Sequence, residues 1–201
     1  INQIAFSGAQ EFVKTYEKVK DKENLIGHFG LGFYSAFMVS SKVEIFSLSF
    51  KEKATPIHWE SDGSTRYTLK EGQKKEIGTQ IVLHLLDDSL IYLEPQRIKG
   101  LVKKYSNFLP INIYLKEKDK EEEKINAGSP LWAQNPQELK DQDYLNFYKE
   151  LFPGELDPLF WISIRTETPF ELRGVLFFPK LTHDLDISKG NIKLFCNNVF
   201  V

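Results

Sequence analysis

The sequence predicts an α/β chain in two parts, and three observations carry that reading. Segments with apolar residues at helical spacing alternate with segments of strand period. At 201 residues the chain has room for one or two domains and at least one substantial core. Nine consecutive charged residues, Lys116 to Lys124 (KEKDKEEEK), interrupt it. Such a run cannot bury enough apolar surface to offset its ordering entropy, so a solvated linker or hairpin tip with a domain boundary is expected there.

Ser7-Gly8-Ala9-Gln10 has the S-x-x-Q spacing of a capping box, and Phe12, Val13, Tyr16 and Val19 then predict an amphipathic helix near 9–20. The charged stretch KDKEN at 20–24 ends it. Leu25 to Phe37 (LIGHFGLGFYSAF) sets Gly27, Gly30 and Gly32 at G-x-x-G-x-G spacing before 33–40, which is apolar almost all round and reads as a buried helix. Over 42–50, Val43 and Ile45 alternate with polar residues before Phe46, Leu48 and Phe50 take the opposite phase. That slip predicts a bulge or a strand buried on both faces.

Residues 57–60 and 66–69 flank Ser61-Asp62-Gly63-Ser64, a hairpin signal. GTQIVLHLL (78–86) reads as a strand with Thr79, Ile81, Leu83 and Leu85 on one face. Glu94-Pro95 opens a helix striped by Ile98, Leu101, Val102, Tyr105 and Phe108, and Ile111, Ile113 and Leu115 alternate as a strand. After the charged run, Tyr144, Leu145, Tyr148, Leu151 and Phe152 predict a helix, with strands expected at 160–165, 170–178 and 191–201.

A net charge of -2 gives no attraction for polyanions, so nucleic acid is not expected as a partner. Cys196 stands alone, which excludes an internal disulfide and suits a reducing compartment; its alternation with Ile192 and Leu194 favours a buried apolar role. No apolar run nears the about 18 residues of a membrane span, so no membrane association is expected. The opening Ile1-Asn2-Gln3 and the strand-like ending NNVFV fit a piece of a longer protein. His28, His58, His84 and His183 are too scattered for a recognisable metal set, and no metal site is expected from them. Trp132, Trp161, Phe177 and Phe178 fit either core or an exposed protein-binding surface, core being the commoner fate of strand aromatics.

Three roles compete for the glycine cluster. It fits a cradle whose amides approach an anion, a tight turn packing a helix, or a hinge. The spacing is neither the dinucleotide fingerprint nor a P-loop, and by itself it favours packing. Gly8 on one side and Gly27 to Gly32 on the other bracket a detachable-looking helix, which suits a closing lid.

Several stretches together resemble the ninety-kilodalton heat-shock protein family of molecular chaperones, in its bacterial form because the charged linker is short. They are IAFSGAQEF (4–12), IGHFGLGFYSAFMVSSKVEI (26–45), HWESDG (58–63), IGTQIVLHL (77–85), KYSNFLPINI (104–113), LWAQNP (131–136), FYKELF (147–152), DPLFW (157–161) and NIKLF with VFV (191–201). The resemblance runs in order along nearly the whole chain. It implies that 1–115 is the C-terminal part of a nucleotide-binding domain, a two-layer α/β sandwich of the gyrase, heat-shock, histidine-kinase and MutL ATPase superfamily. It implies a charged linker at 116–126 and the start of an α/β middle domain at 127–201.

The lid would span about 6–34. Ser7, Gly8, Gly27, His28, Phe29, Gly30, Leu31, Gly32 and Phe33 would face the ATP phosphates or belong to the lid, and Thr79 would lie near the adenine. ATP or ADP with Mg2+, unfolded or partly folded client proteins, a homodimer and a cytoplasmic location are implied for the intact protein, which would be an ATP hydrolase. Three departures qualify this. Phe6 stands where relatives commonly carry lysine, and Asn197-Asn198 replace basic residues. The general-base glutamate and the D-x-G-x-G adenine motif would precede Ile1, and the middle-domain arginine would follow Val201, so the chain by itself is expected to be catalytically silent. A MutL-like repair ATPase and a non-catalytic interaction module are the alternatives; LWAQNP and DPLFW favour the chaperone.

Overall fold

The computed structural model describes residues 30–168, 172–180, 193–196 and 199–200. They fall into two compact units that divide between Ile98 and Lys99. The helix expected near 9–20 and most of the expected lid lie outside the described residues.

The first unit is an antiparallel sheet in the order β3-β2-β1-β4, with β1 at Ser40–Leu48, β2 at Ile57–Ser61, β3 at Thr68–Glu71 and β4 at Gly78–Leu85. Register sorts the two phases of β1. Val43 lies opposite Ser61 and Leu83, and Ile45 lies opposite Trp59 and Ile81, so these residues share one face. Val43, Ile45 and Trp59 form its buried core. Lys42, Glu44 and Phe46 take the other face with His58, Glu60 and His84. The apolar phase slip thus reflects a strand used on both sides, and the only irregularity in its pairing with β4 lies between Ser40 and Lys42.

The Ser61–Ser64 hairpin forms as expected. Asp62 Oδ1 accepts from the Ser64 amide at 2.9 Å, Ser61 Oγ accepts from the Gly63 amide at 3.2 Å, and the same hydroxyl donates to Arg66 O at 2.9 Å. Gly63 adopts φ 86, a left-handed conformation that disfavours a side chain.

The expected fully buried helix at 33–40 is instead a 3₁₀ helix, Gly32–Met38, with no buried residue. Phe33, Ala36 and Phe37 pack on the sheet core, while Met38 is 78% exposed. Its apolar composition reflects one face seated on β1 and β2, with the remaining residues left partly or largely open.

Glu94-Pro95 opens a helix as expected. It is α1, Pro95–Leu101, and it continues as a π-helical turn at Val102–Ser106. Strand pairing near 111–115 reduces to β5, Tyr114–Leu115, against β6, Glu123–Lys124, so the charged run is a hairpin tip inside the second unit. Asp119 sits there at φ 63. Asn126, buried, replaces a longer ladder: its Oδ1 accepts from Ile113 N at 2.8 Å and its Nδ2 donates to Ile111 O at 2.8 Å. Asn107, also buried, donates to Glu150 Oε1 at 2.7 Å and accepts from Ala127 N at 3.0 Å.

Glu150 belongs to α2, Asp141–Leu151, whose first turn carries Asp141 and Asp143 where the helix dipole favours them. Tyr144, Phe147 and Tyr148 are its buried face. Phe108, Leu131, Tyr144 and Phe147 make the second core, flanked by Trp132, Trp161 and Phe177. These three aromatics are therefore packing residues. The hairpin of β7 (Phe160–Thr166) and β8 (Leu172–Phe178) docks on α2 through Tyr144, stacked on Trp161 and hydrogen-bonded from its hydroxyl to Ser163 Oγ at 2.9 Å. Phe178, on the opposite face, stacks on Phe160 with both rings exposed. Over 191–201, β9 (Phe195–Cys196) pairs with β10 (Val199–Phe200). The Cys196 side chain, Asn197, Asn198 and His183 lie outside the described residues.

Hydrogen bonds from Ser64, through its side chain first and its backbone amide second, hold the Asp62 carboxyl below the ordinary value of 3.8. A lowered folded pKa adds stability above the unfolded value that is lost as pH falls through the folded one. Asp62→Ala is therefore expected to lower the urea midpoint at pH 7, and the gap to the unsubstituted protein should narrow below about pH 4. A gap constant from pH 7 to pH 3 contradicts this assignment.

Candidate functional site

The 3₁₀ helix runs back over the apolar face of the sheet, and its contacts fix its direction. Phe37 lies near Gly63, where a Cβ would come within 3.1 Å of its ring, beside the row of Val43 and Ser61. Phe33 meets Trp59 edge to face at 5.9 Å, over the row of Ile45 and Ile81. Extending this path backwards carries Gly30, Leu31 and Gly32 toward the next row, where Ser47 lies opposite Thr79. The Ser47 and Thr79 hydroxyls are hydrogen-bonded at 2.8 Å and exposed.

Five of the expected site residues are thus described: Gly30, Leu31, Gly32 and Phe33 in one turn, and Thr79 on the sheet face toward which that turn runs. Ser7, Gly8, Gly27, His28 and Phe29 lie outside the described residues. Gly30 has φ 65, a left-handed conformation that favours glycine. Gly32 differs. No positive φ holds it, and an added Cβ would meet nothing within 4 Å among the described residues. Among the described residues the space beside its backbone is open. Ser35 Oγ donates to Gly32 O at 2.7 Å, and the Tyr34 amide donates to Leu31 O at 3.1 Å, so the turn is closed from within. Ile81 and Leu83, on the same face, are 51% and 40% exposed.

A second constellation occupies the other face. Glu44 is its hub: Oε1 lies 3.0 Å from His84 Nε2 and Oε2 lies 3.3 Å from His58 Nε2. Lys42 also bonds Glu44, which holds that carboxyl below the usual range and raises the lysine. Sequence spacing did not reveal this group, because strand register brings positions 44, 58 and 84 together. The signal available was the parity of each within its strand.

Fold and site define a two-unit α/β protein with a glycine-led turn laid on the apolar face of an antiparallel sheet. Residues 115–201 match the family model described as Hsp90 protein. The chain is 48% identical over its whole length to the chaperone protein HtpG of Bacteroides fragilis, covering 31% of that protein. It is 44% identical to HtpG of Porphyromonas gingivalis, with the same coverage. HtpG of Borreliella afzelii is 37% identical over 98% of this chain and 35% of its own length. The chain belongs to the Hsp90 family, and it spans about a third of the length of these curated relatives.

The two glycines make opposite demands on a side chain. Gly63→Ala is expected to destabilise the first unit by about 1 kcal/mol or more, through its left-handed φ and the Phe37 ring. Gly32→Ala is expected to leave stability unchanged within about 0.5 kcal/mol. Urea unfolding checks both, and a large loss at Gly32 would return that glycine to a packing role.

Proposed function

We propose that this chain forms one wall of the nucleotide site in an ATP-dependent molecular chaperone that assists protein folding. The observation that carries the reading is similarity along the entire chain to relatives named as HtpG chaperones. The open space at Gly32 and the left-handed Gly30 support a phosphate-facing role for the turn. Ser7, Gly8, Gly27, His28, Phe29, Gly30, Leu31, Gly32 and Phe33 would contact phosphates or form the closing segment, and Thr79 would lie on the adenine side. ATP or ADP supplies the anion, Mg2+ accompanies it, and none of the described residues is assigned to the metal.

In this reading 1–115 is nucleotide-domain chain, with 99–115 packed beside 127–201 in the second compact unit; 116–126 connects as a hairpin, and 127–201 opens the middle domain. The Hsp90 match beginning at residue 115 supports the last assignment. ATP binding would favour closure of 6–34, a population shift in which the closed form holds the extra phosphate contacts. Closure would in turn favour contact between two nucleotide domains in a homodimer. Clients are unfolded or partly folded proteins, neither nucleic acid nor membrane is a partner, and the location is cytoplasmic. Among the described residues no helix is long and apolar enough to cross a membrane.

Calorimetric ATP titration tests the site. In the protein at the length of its relatives, Gly32→Val is expected to weaken ATP binding at least about tenfold, a loss near 1.4 kcal/mol, because a branched side chain fills the approach space. The 201 residues alone are expected to show no ATP turnover. Unchanged affinity in Gly32→Val removes the phosphate role, and turnover by the chain alone contradicts the one-wall reading.

A further inference from the structure

On the polar face of the sheet, two adjacent strands bring nitrogen and oxygen ligands together, beside a histidine from a third. Glu44 from β1 and His58 and Glu60 from β2 each place one ligand atom so that all lie within 4.8 Å of one another. Glu44 and Glu60 are directly opposite in the register, and His58 is two residues before Glu60 on the same face. His84, from β4, lies against the other oxygen of Glu44.

We propose that this cluster is a binding site for a divalent cation of the zinc class, with His58 Nε2, Glu44 Oε2 and a Glu60 oxygen as ligands. His84 acts as the positioning residue that orients Glu44.

The state of His58 separates this arrangement from an ordinary surface ion pair. Its Nε2 is buried, and no described group forms a hydrogen bond to it. Glu44 Oε2 is near enough for ion pairing at 3.3 Å, but the angles do not make a hydrogen bond. Two ligands each about 2.1 Å from a tetrahedral zinc ion lie about 3.4 Å apart. The observed spacing is therefore that of one edge of a coordination tetrahedron. The ring is also held in place, stacked on Phe46 with centroids 4.3 Å apart and planes 13° from parallel. A preset imidazole loses little freedom on binding a metal.

One nitrogen and two carboxylate oxygens form the set of an open zinc site, with water completing the coordination. His84 Nε2 donates to Glu44 Oε1 and fixes which oxygen faces the metal, the part that outer-shell hydrogen bonds play in metal sites. Two cations face the same cluster. The Lys42 ammonium bonds Glu44 and lies 4.0 Å from Glu60, and Lys70 lies 3.9 Å from the other Glu60 oxygen. Lys42 is 41% exposed on a flexible stem, so an incoming dication displaces it into water and replaces one positive charge by two. A bound ion would tie β1 to β2 and, through His84, to β4. It would stiffen the sheet from the side opposite the glycine turn, and this role is independent of nucleotide binding.

Zinc chloride titrated calorimetrically into the full 201-residue chain at pH 7.5 tests the site. One ion per chain is expected, with a raised thermal midpoint. His58→Gln and Glu60→Gln are each expected to cut affinity at least about 100-fold, and His84→Gln about tenfold. Lys42→Ala is expected to tighten binding, because it removes the competing cation. No saturable binding at micromolar zinc overturns the proposal. So does stoichiometric binding that His58→Gln and Glu60→Gln leave unchanged, or weaker binding in Lys42→Ala.

Discussion

The glycine turn of the first unit depends on how Phe33 and Phe37 seat on the sheet. They bring a short 3₁₀ helix against Val43, Ile45 and Trp59, the only buried hydrophobic cluster described in that unit. Phe33 meets Trp59, Phe37 and Tyr34 edge to face, at centroid distances from 5.9 to 6.1 Å. Edge-to-face aromatic pairs add about 0.5–1.5 kcal/mol each beyond area burial. A helix of seven residues has little stability of its own, so tertiary packing rather than propensity holds it. The glycine turn inherits its position from that packing. Loosening the two phenylalanines would leave Gly30 to Gly32 without a fixed place over the sheet.

The sheet serves two purposes because β1 is central and used on both sides. Its inward phase makes the floor beneath the glycine turn, and its outward phase sets Glu44 among His58, His84 and Lys42. A one-residue slip of register would exchange these faces and destroy both arrangements. Hence the Ser61–Ser64 turn matters to each: its Asp62, Ser61 and Gly63 contacts hold β2 and β3 in register.

Parts of this were legible in the sequence because they rest on local chemistry. Ser-Asp-Gly-Ser announces a hairpin through its turn conformations, and Tyr144, Tyr148 and Leu151 announce α2 by spacing. The glycine cluster stood out by composition, though its use as packing turn, cradle or hinge did not follow from spacing. Other features depend on partners distant in sequence. The 33–40 stretch reads as buried because apolar composition does not say how many sides are covered, and Met38 shows that one side is not. The π-turn at Val102–Ser106 carries no sequence signal that we can identify. The strand expected over 111–115 shortens because Asn126 supplies from its side chain the bonds a ladder would have made. Strand register alone turns two scattered histidines into neighbours of one carboxylate.

The central claim is that aromatic packing on β1 and β2 places the turn that is proposed to face the nucleotide. A double-mutant cycle between Phe37 and Trp59, read as ATP affinity in the protein at the length of its relatives, tests it most directly. Neither side chain is assigned to the nucleotide, so any effect must pass through the position of the helix. Phe37→Leu and Trp59→Leu are each expected to weaken ATP binding, and together to cost clearly less than the sum of the two, because either change alone already frees the helix. Affinity unchanged by both substitutions, or losses that simply add, would contradict the account.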